Sequence, residues 1–191
     1  MASAFTHAVF SLTMGKTFFP QEMPRRFWMA AIICSILPDI DIFGFFIGVR
    51  CGDILGHRGF SHSLLFAFLV SLVAIRFACK DYRPLSAPWR KLWLFFFLLA
   101  SSHGLLDALT DGGLGVAFFS PFDQTRYFFL WTPLKVSPIG LEIFLSPWGR
   151  EVILNEIFWV WVPAILILAA VTGVRRLYSK GILREAEGIE A

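Results

Sequence analysis

Residues 157–174 read IFWVWVPAILILAAVTGV, eighteen consecutive residues without a charge, and Arg175 and Arg176 follow directly. An uncharged run of this length, closed by basic residues, is typical of a transmembrane helix. The composition of the 191-residue chain agrees, since 57% of its residues are hydrophobic and only 16% are charged. A soluble domain carries about 25% charged residues. The sequence therefore predicts an integral membrane protein.

Other apolar segments precede this run, and they predict how many times the chain crosses the membrane. They lie at 2–15, 27–49, 60–79 and 92–110. We expect an all-α fold, an integral membrane helical bundle of about four full spans plus a short N-terminal helix. The connection 111–150 is rich in aromatic residues and prolines. It is expected to lie against the outer interface as an irregular loop.

The basic residues indicate the orientation of the bundle. If the chain around 16–26, the segment 76–91 and the tail after residue 174 share one side, that side carries twelve of the seventeen Lys and Arg residues. The positive-inside rule makes this side cytoplasmic. We therefore expect a multi-pass protein with a cytoplasmic C-terminus, a single membrane-embedded helical domain over 1–180 and a flexible cytoplasmic tail over 181–191.

The net charge of +3 does not indicate a nucleic-acid partner, because the cations are spread between apolar runs and do not form a stripe. The partner that the composition implies is the lipid bilayer; protein partners are not predicted. The three cysteines are far apart and include no C-x-x-C pair. This excludes a disulfide framework and a thiolate metal site, so any metal needs His and carboxylate ligands.

Ionisable residues interrupt the apolar segments at similar depths. A helix rises about 1.5 Å per residue across a hydrocarbon core of about 30 Å, which places most of them in the outer half of the bundle. Ionisable residues inside spans normally face a cavity and a partner, so we expect one shared site. Its candidate members are His7, Asp39, Asp41, His57, His62, His103, Asp107 and Asp111.

The spacing of these residues supports a shared site. His103, Asp107 and Asp111 follow i, i+4, i+8 and should line one helical face. In the string HRGFSHS, which begins at His57, a glycine permits a bend that brings both histidines to one centre, and Ser61 is the expected N-cap of the next helix.

In the string LPDID at 37–41, the proline breaks or starts a helix, and both carboxylates are expected on the bend. Asp41 and Asp111 are expected either to bind the metal or orient a water, or to hold the ligating histidines in place. His7 alone fits a ligand and a structural histidine equally. Glu156 favours a helix-interface hydrogen bond over ligation.

We weigh metal binding above a purely structural polar core, because so many buried carboxylates repel one another without a cation. His and Asp ligands suit zinc and also manganese or non-haem iron. Such a centre lowers the pKa of a bound water and stabilises an oxyanion, which is hydrolytic chemistry. Arg58 is placed to clamp a phosphate.

The motifs also resemble a known family. The strings THAVF, LPDID, HRGFSHS, HGLLDALTDGG, SPFDQTRYFF and VSPIG look like those of the YdjM-like family of bacterial inner-membrane, metal-dependent hydrolases. The resemblance implies a metal site at His7, Asp39, His57, His62, His103 and Asp107. The family is linked by name to the SOS repressor LexA. More distantly, the pattern resembles zinc-dependent phospholipase C and P1-type nucleases.

The sequence and the resemblance together predict a metal-dependent hydrolase of the bacterial inner membrane that cleaves a phosphoester, perhaps in a lipid, at the outer leaflet. In this hypothesis Asp41, Arg58 and Asp111 are catalytic, and the other six residues bind a divalent metal, zinc first. The alternative is a metal or proton transporter that uses the same His and Asp cluster as its pathway. Against it, the inner halves of the apolar segments carry few polar residues.

Overall fold

The computed structural model describes residues 1–189. Over that part of the chain it is helical, and its only β contacts are isolated bridges. The α-helices are α1 Ala4–Phe18, α2 Arg25–Ile36, α3 Leu64–Ala78, α4 Ala87–Ala108, α5 Leu141–Phe144, α6 Pro147–Glu156 and α7 Val162–Ile189. The 3₁₀ segments are Leu37–Ile47 and Phe60–His62, and a π-helical segment, Ile157–Trp161, joins α6 to α7.

Helices α1 to α4 pack as an antiparallel bundle with two distinct ends. At the basic end, the amine of Lys16 on α1 lies over the Trp28 ring on α2, and Lys91 on α4 lies over Phe19 just after α1. Arg26 of α2 pairs with Asp81 beyond the end of α3. The opposite end, which we call the site end, carries the 3₁₀ segments and the long connection 109–140.

The core between the two ends is mostly apolar, with a few buried hydroxyl side chains such as Ser11 and Ser71. Phe27, Phe96 and Ile75 are almost completely buried and bring α2, α4 and α3 together. Small residues such as Ala31 and Ala78 fill the remaining space and allow the helices to approach closely. Burial of about 25 cal/mol per Å² of apolar surface stabilises such a core against water. Inside lipid, close packing takes over that role.

Within residues 1–189, two helical stretches are long and apolar enough to cross a membrane, Arg25–Ile47 and Pro147–Ser179. The 15-residue α3 is apolar but shorter, about 22 Å against a hydrocarbon core of about 30 Å. Four full spans therefore remain a prediction. The predicted tail, 181–191, falls on the end of α7 and on two residues outside the described part of the chain.

Some of the residues that begin or end helical segments are those that the sequence predicts. Pro38 lies in the first turn of the 3₁₀ segment that follows α2, and Gly48, with φ +83°, closes that segment in the left-handed conformation. The N-cap of α3 is Ser63, whose hydroxyl accepts from the backbone N–H of Phe66. The predicted cap Ser61 was wrong, because residues 60–62 form a separate 3₁₀ turn.

The connection between α4 and α5 is irregular, as the sequence predicts, and it is held by arginine side chains. Arg126 donates to the carbonyls of His57, Gly115 and Cys51 and so ties this connection to the loop 48–59. A guanidinium group can satisfy several carbonyls at once. The loops of the site end are thus fixed relative to each other without strand pairing.

Candidate metal centre

Four side chains from three parts of the chain meet at the site end. Asp39 comes from the 3₁₀ segment after α2, His62 from the turn before α3, and His103 and Asp107 from one face of α4. Each offers one ligand atom, and these atoms all lie within 4.8 Å of one another. The predicted i, i+4 alignment of His103 and Asp107 therefore serves one centre.

The spacing of the four ligand atoms can be compared with a tetrahedral metal site. His62 Nε2 lies 3.0 Å from His103 Nε2 and 3.5 Å from Asp107 Oδ2. Asp39 Oδ1 lies 3.4 Å from His103 Nε2 and 3.7 Å from His62 Nε2. A tetrahedron with metal–ligand bonds of 2.0–2.2 Å has edges of about 3.3–3.6 Å. These four of the six edges lie within about 0.3 Å of that range, and all six are shorter than 4.8 Å, so the group is compatible with a single zinc-sized cation.

Several buried polar atoms at this centre have no hydrogen-bond partner among the described residues. They are both carboxylate oxygens of Asp39, Asp107 Oδ2, His7 Nε2 and Arg58 Nε. A buried polar atom without a partner costs about 1–3 kcal/mol, more when it is charged. A cation bound among the carboxylates would satisfy the oxygen atoms of Asp39 and Asp107, though not the Nε–H donor of Arg58, so the carboxylate part of this set fits a metal.

Hydrogen bonds orient both ligating rings. His103 Nδ1 donates to the backbone carbonyl of Ser35 over 2.6 Å, which aims Nε2 at the centre. His62 Nδ1 lies 3.1 Å from Asp41 Oδ2 and 3.0 Å from the hydroxyl of Ser61. Partners of this kind fix the tautomer of a metal-binding histidine.

Asp41 lies behind His62 rather than at the centre of the four ligands. His57 Nδ1 donates to Asp41 Oδ1 over 2.8 Å, and Ser61 donates to Asp41 Oδ2 over 2.5 Å. The ligand atoms of Asp41, His57 and His62 form a second group that is compact enough for a metal. This arrangement supports the interpretation of Asp41 as a residue that holds histidines in place.

His7 reaches the centre from α1. Its ring stacks on that of His103 with the centroids 3.8 Å apart, and its Nε2 lies 3.5 Å from Asp107 Oδ1. The side chain is buried. His7 thus adjoins the four-ligand group, although it is not a member of it. It is placed to complete the ligand set or to hold Asp107.

Arg58 is almost completely buried and is fixed by protein oxygens. Its guanidinium donates to the carbonyls of Gly112 and Leu114 and to the hydroxyl of Thr110. Its Nε lies 3.3 Å from Asp107 Oδ2. Three of the five guanidinium donors are therefore occupied. Arg58 supplies a fixed positive charge beside the carboxylate and is not a mobile clamp.

Asp111 lies away from the centre. Helix α4 ends at Ala108, so the i+8 position is no longer on the helical face that carries His103. The Asp111 carboxylate is exposed and accepts from the backbone N–H of Val136 over 2.8 Å. The structure therefore does not bring Asp111 together with the other candidates.

The first residues of the chain contribute contacts that the motifs did not indicate. The backbone N–H of Ala2 donates to Asp107 Oδ1 over 2.7 Å. Glu156 accepts from the backbone and hydroxyl of Ser3 and from the hydroxyl of Thr6. This confirms the hydrogen-bonding interpretation of Glu156. Every residue type except proline has the same backbone donor and acceptor, so the sequence does not indicate which backbone groups bind a side chain. Of these contacts, those made by Glu156 were the ones that the sequence could indicate, because an acid at the start of an apolar segment needs a partner.

Comparison with known proteins agrees with the membrane character of the chain. The model of the YdjM inner membrane protein family matches residues 1–180. The inner membrane protein YbcI of Escherichia coli (strain K12) is 38% identical over 176 residues, which cover 92% of this chain and 100% of that protein. No solved structure matches the chain. On this evidence the chain belongs to the YdjM family of inner membrane proteins.

Proposed function

We propose that this protein is a metal-dependent hydrolase of the inner membrane that cleaves a phosphoester at the outer leaflet. The observation that carries the proposal is the four-ligand group of Asp39, His62, His103 and Asp107, whose spacing fits a tetrahedral cation. Zinc suits two imidazoles and two carboxylates, and manganese or iron also fits. The resemblance to zinc-dependent phospholipase C points to the same chemistry.

The residues of the chain have separable tasks in this proposal. When bound, the cation supplies Lewis acidity and lowers the pKa of a water molecule. Asp39 and Asp107 hold the cation and balance its charge. Asp41 holds the Nδ1 proton of His62, and the carbonyl of Ser35 holds that of His103. The Nε2 atom of each ring is then free to bind the cation. His57, which donates to Asp41, is available at the edge of the site.

The location of the site supports a substrate at the membrane surface. With the basic end in the cytoplasm, as the positive-inside rule favours, the metal centre faces the outer leaflet. The site end is surrounded by exposed apolar side chains, among them Phe46 at 83% and Phe122 at 86% exposure. Exposed apolar side chains that form a contiguous patch mark a surface for contact with a protein or a membrane. A lipid phosphoester would reach the centre without leaving the bilayer.

Transport of a metal or of protons is the alternative use of the same cluster. A transport pathway requires polar groups across the whole thickness of the bundle. Here the core between the cluster and the basic end is packed with residues such as Phe27, Phe96 and Leu92. The distribution of polar residues therefore favours catalysis at one end over passage through the bundle.

The decisive experiment compares metal content and hydrolysis in wild type and in Asp107→Asn. The variant keeps the size of the side chain and removes its charge, so we expect loss of bound metal and of hydrolysis of phosphodiester and phospholipid substrates. Asp123→Asn is the matched control, because Asp123 is exposed and its carboxylate accepts from Thr125 in the same loop. Ion flux into proteoliposomes, without turnover of any ester, would replace the hydrolase proposal with transport.

A further inference from the structure

A cavity of about 120 Å³ lies at the site end, next to the metal centre. Two of its walls are the side chains of His57 and Arg58, and Ser137 adds a third polar residue. His57 bonds Asp41 behind His62, and Arg58 adjoins Asp107. Arg58 therefore separates the cavity from Asp107, and His57 and Asp41 separate the cavity from His62.

The remaining lining consists of Met1, Cys51 and Gly113 together with apolar side chains, two of which are partly exposed. Leu114 and Ile139 line the cavity with 45% and 40% of their surface accessible. Ile54 and Leu55, in the loop that contains Cys51, are also exposed. A pocket with a fixed cation in its wall and an apolar rim suits a ligand with an anionic head and an apolar body.

The size of the cavity limits the group that it can admit. A cavity of about 150 Å³ admits a molecule of the size of benzene, so a cavity of about 120 Å³ admits a group of similar or smaller size. That is enough for a phosphate group and too little for an acyl chain. The apolar body of the ligand must then lie outside, against the exposed side chains of the rim.

We propose, on the basis of the hydrolase function above, that this cavity receives the phosphate group of a lipid, with the acyl chains beside Leu114 and Ile139 in the outer leaflet. Arg58 contributes its fixed positive charge to the cavity wall. The same phosphate chemistry could arrive in a soluble phosphoester, and the apolar rim is the feature that favours the lipid.

Cys51 is a natural reporter for occupancy of the cavity. It lines the cavity and is exposed, whereas Cys34 and Cys79 are buried in the apolar core at 1% and 2% exposure. A maleimide should therefore modify the metal-loaded protein at Cys51 first. Cys51→Ser identifies any residual reaction at the other two cysteines.

The experiment measures the rate of Cys51 modification in maltoside micelles with phosphatidic acid, inorganic phosphate or diacylglycerol added. At a phosphatidic acid concentration of about four times its Kd, the site is free about one-fifth of the time, so the rate should fall about fivefold. If inorganic phosphate protected Cys51 as well as phosphatidic acid does, the proposal that the ligand is a lipid would be wrong. Equal protection by diacylglycerol would overturn phosphate recognition, and no protection would overturn the cavity assignment.

A pair of variants tests the apolar rim. Leu114→Trp narrows the cavity and should abolish protection by phosphatidic acid. Leu130→Trp is the matched control, because Leu130 is fully exposed in the same connection and does not line the cavity. Metal content, measured on both variants, shows whether the centre is intact. Unchanged protection in Leu114→Trp with metal retained would contradict the proposed position of the lipid.

Protection is an equilibrium measurement and needs no turnover, so its outcome is separate from that of the hydrolase proposal. Protection by phosphatidic acid in a protein that hydrolyses no ester would retain the binding site and end the hydrolase proposal. Metal-dependent hydrolysis without protection of Cys51 would retain the hydrolase and end the role of this cavity.

Discussion

The Nε2 atoms of His62 and His103 lie 3.0 Å apart, and the Nδ1 atom of each ring faces an oxygen atom. A neutral imidazole that donates from Nδ1 presents a lone pair at Nε2. Two lone pairs at this distance repel each other unless a cation or a proton lies between them. A cation at this position makes the pair part of a metal centre, whereas a shared proton makes it part of a structural polar core.

The first prediction is that protein purified in detergent carries at least one transition metal per chain. Chelation should lower its Tm, because the buried carboxylates of Asp39 and Asp107 lose their counter-charge. Elemental analysis and a melting curve with and without chelator measure both effects. Metal-free protein with an unchanged melting curve would favour the structural core.

A second prediction concerns Arg58. Replacement by Lys keeps the positive charge, but an ammonium group cannot reach Gly112, Leu114 and Thr110 together. Breaking a buried charged network of this kind costs about 3 kcal/mol or more, so Arg58→Lys should melt at a clearly lower temperature than wild type.

Arg50→Lys is the control for the Arg58 variant, because the Arg50 side chain is 86% exposed. Its Tm should not change. If Arg58→Lys instead raised KM for a phosphoester at an unchanged Tm, Arg58 would be a substrate clamp, as the sequence hypothesis had it.

Glu156 provides a third prediction. In Glu156→Ala, the hydroxyls of Ser3 and Thr6 and the backbone N–H of Ser3 lose their acceptor, which should cost about 3 kcal/mol. Glu142→Ala, at an exposed position, should leave the Tm unchanged. If both variants had the same Tm, the hydrogen bonds of Glu156 would contribute little to the stability of the protein.

Orientation in the membrane is the fourth prediction. A reporter fused after Lys180 should be cytoplasmic, and one inserted near Gln124 should be external, because twelve of the seventeen Lys and Arg residues lie toward the basic end. The opposite pattern would place the metal centre in the cytoplasm and remove the case for an outer-leaflet substrate.

The helices and much of the site could be predicted, because they depend on the helical spacing of residues and on residue type. The i, i+4 spacing of His103 and Asp107 places both on one face wherever α4 is helical, and Pro38 marks the break after α2. Membrane character follows from composition alone. The family comparisons confirm the inner membrane location.

The remaining details depend on contacts that residue types do not encode. The end of α4 at Ala108 decides whether Asp111 joins the site, and beyond that end Thr110 accepts a hydrogen bond from Arg58. The carbonyl of Ser35 and the backbone N–H of Ala2 are present in any sequence. From its spacing, Asp41 could either bind the metal or orient a water, or hold the histidines in place. The positions of His57 and His62 favour the second role.

The link between Ser3 and Glu156 also concerns the order of biosynthesis. A ribosome makes Ser3 more than 150 positions before it makes Glu156, so the first helix inserts without its anchor. Ala2 is then free to leave Asp107 until the final helix arrives. In the proposed metalloprotein, the cation would therefore be enclosed only after the final helix is in place. A polypeptide interrupted before residue 156 lacks the carboxylate that holds Ser3.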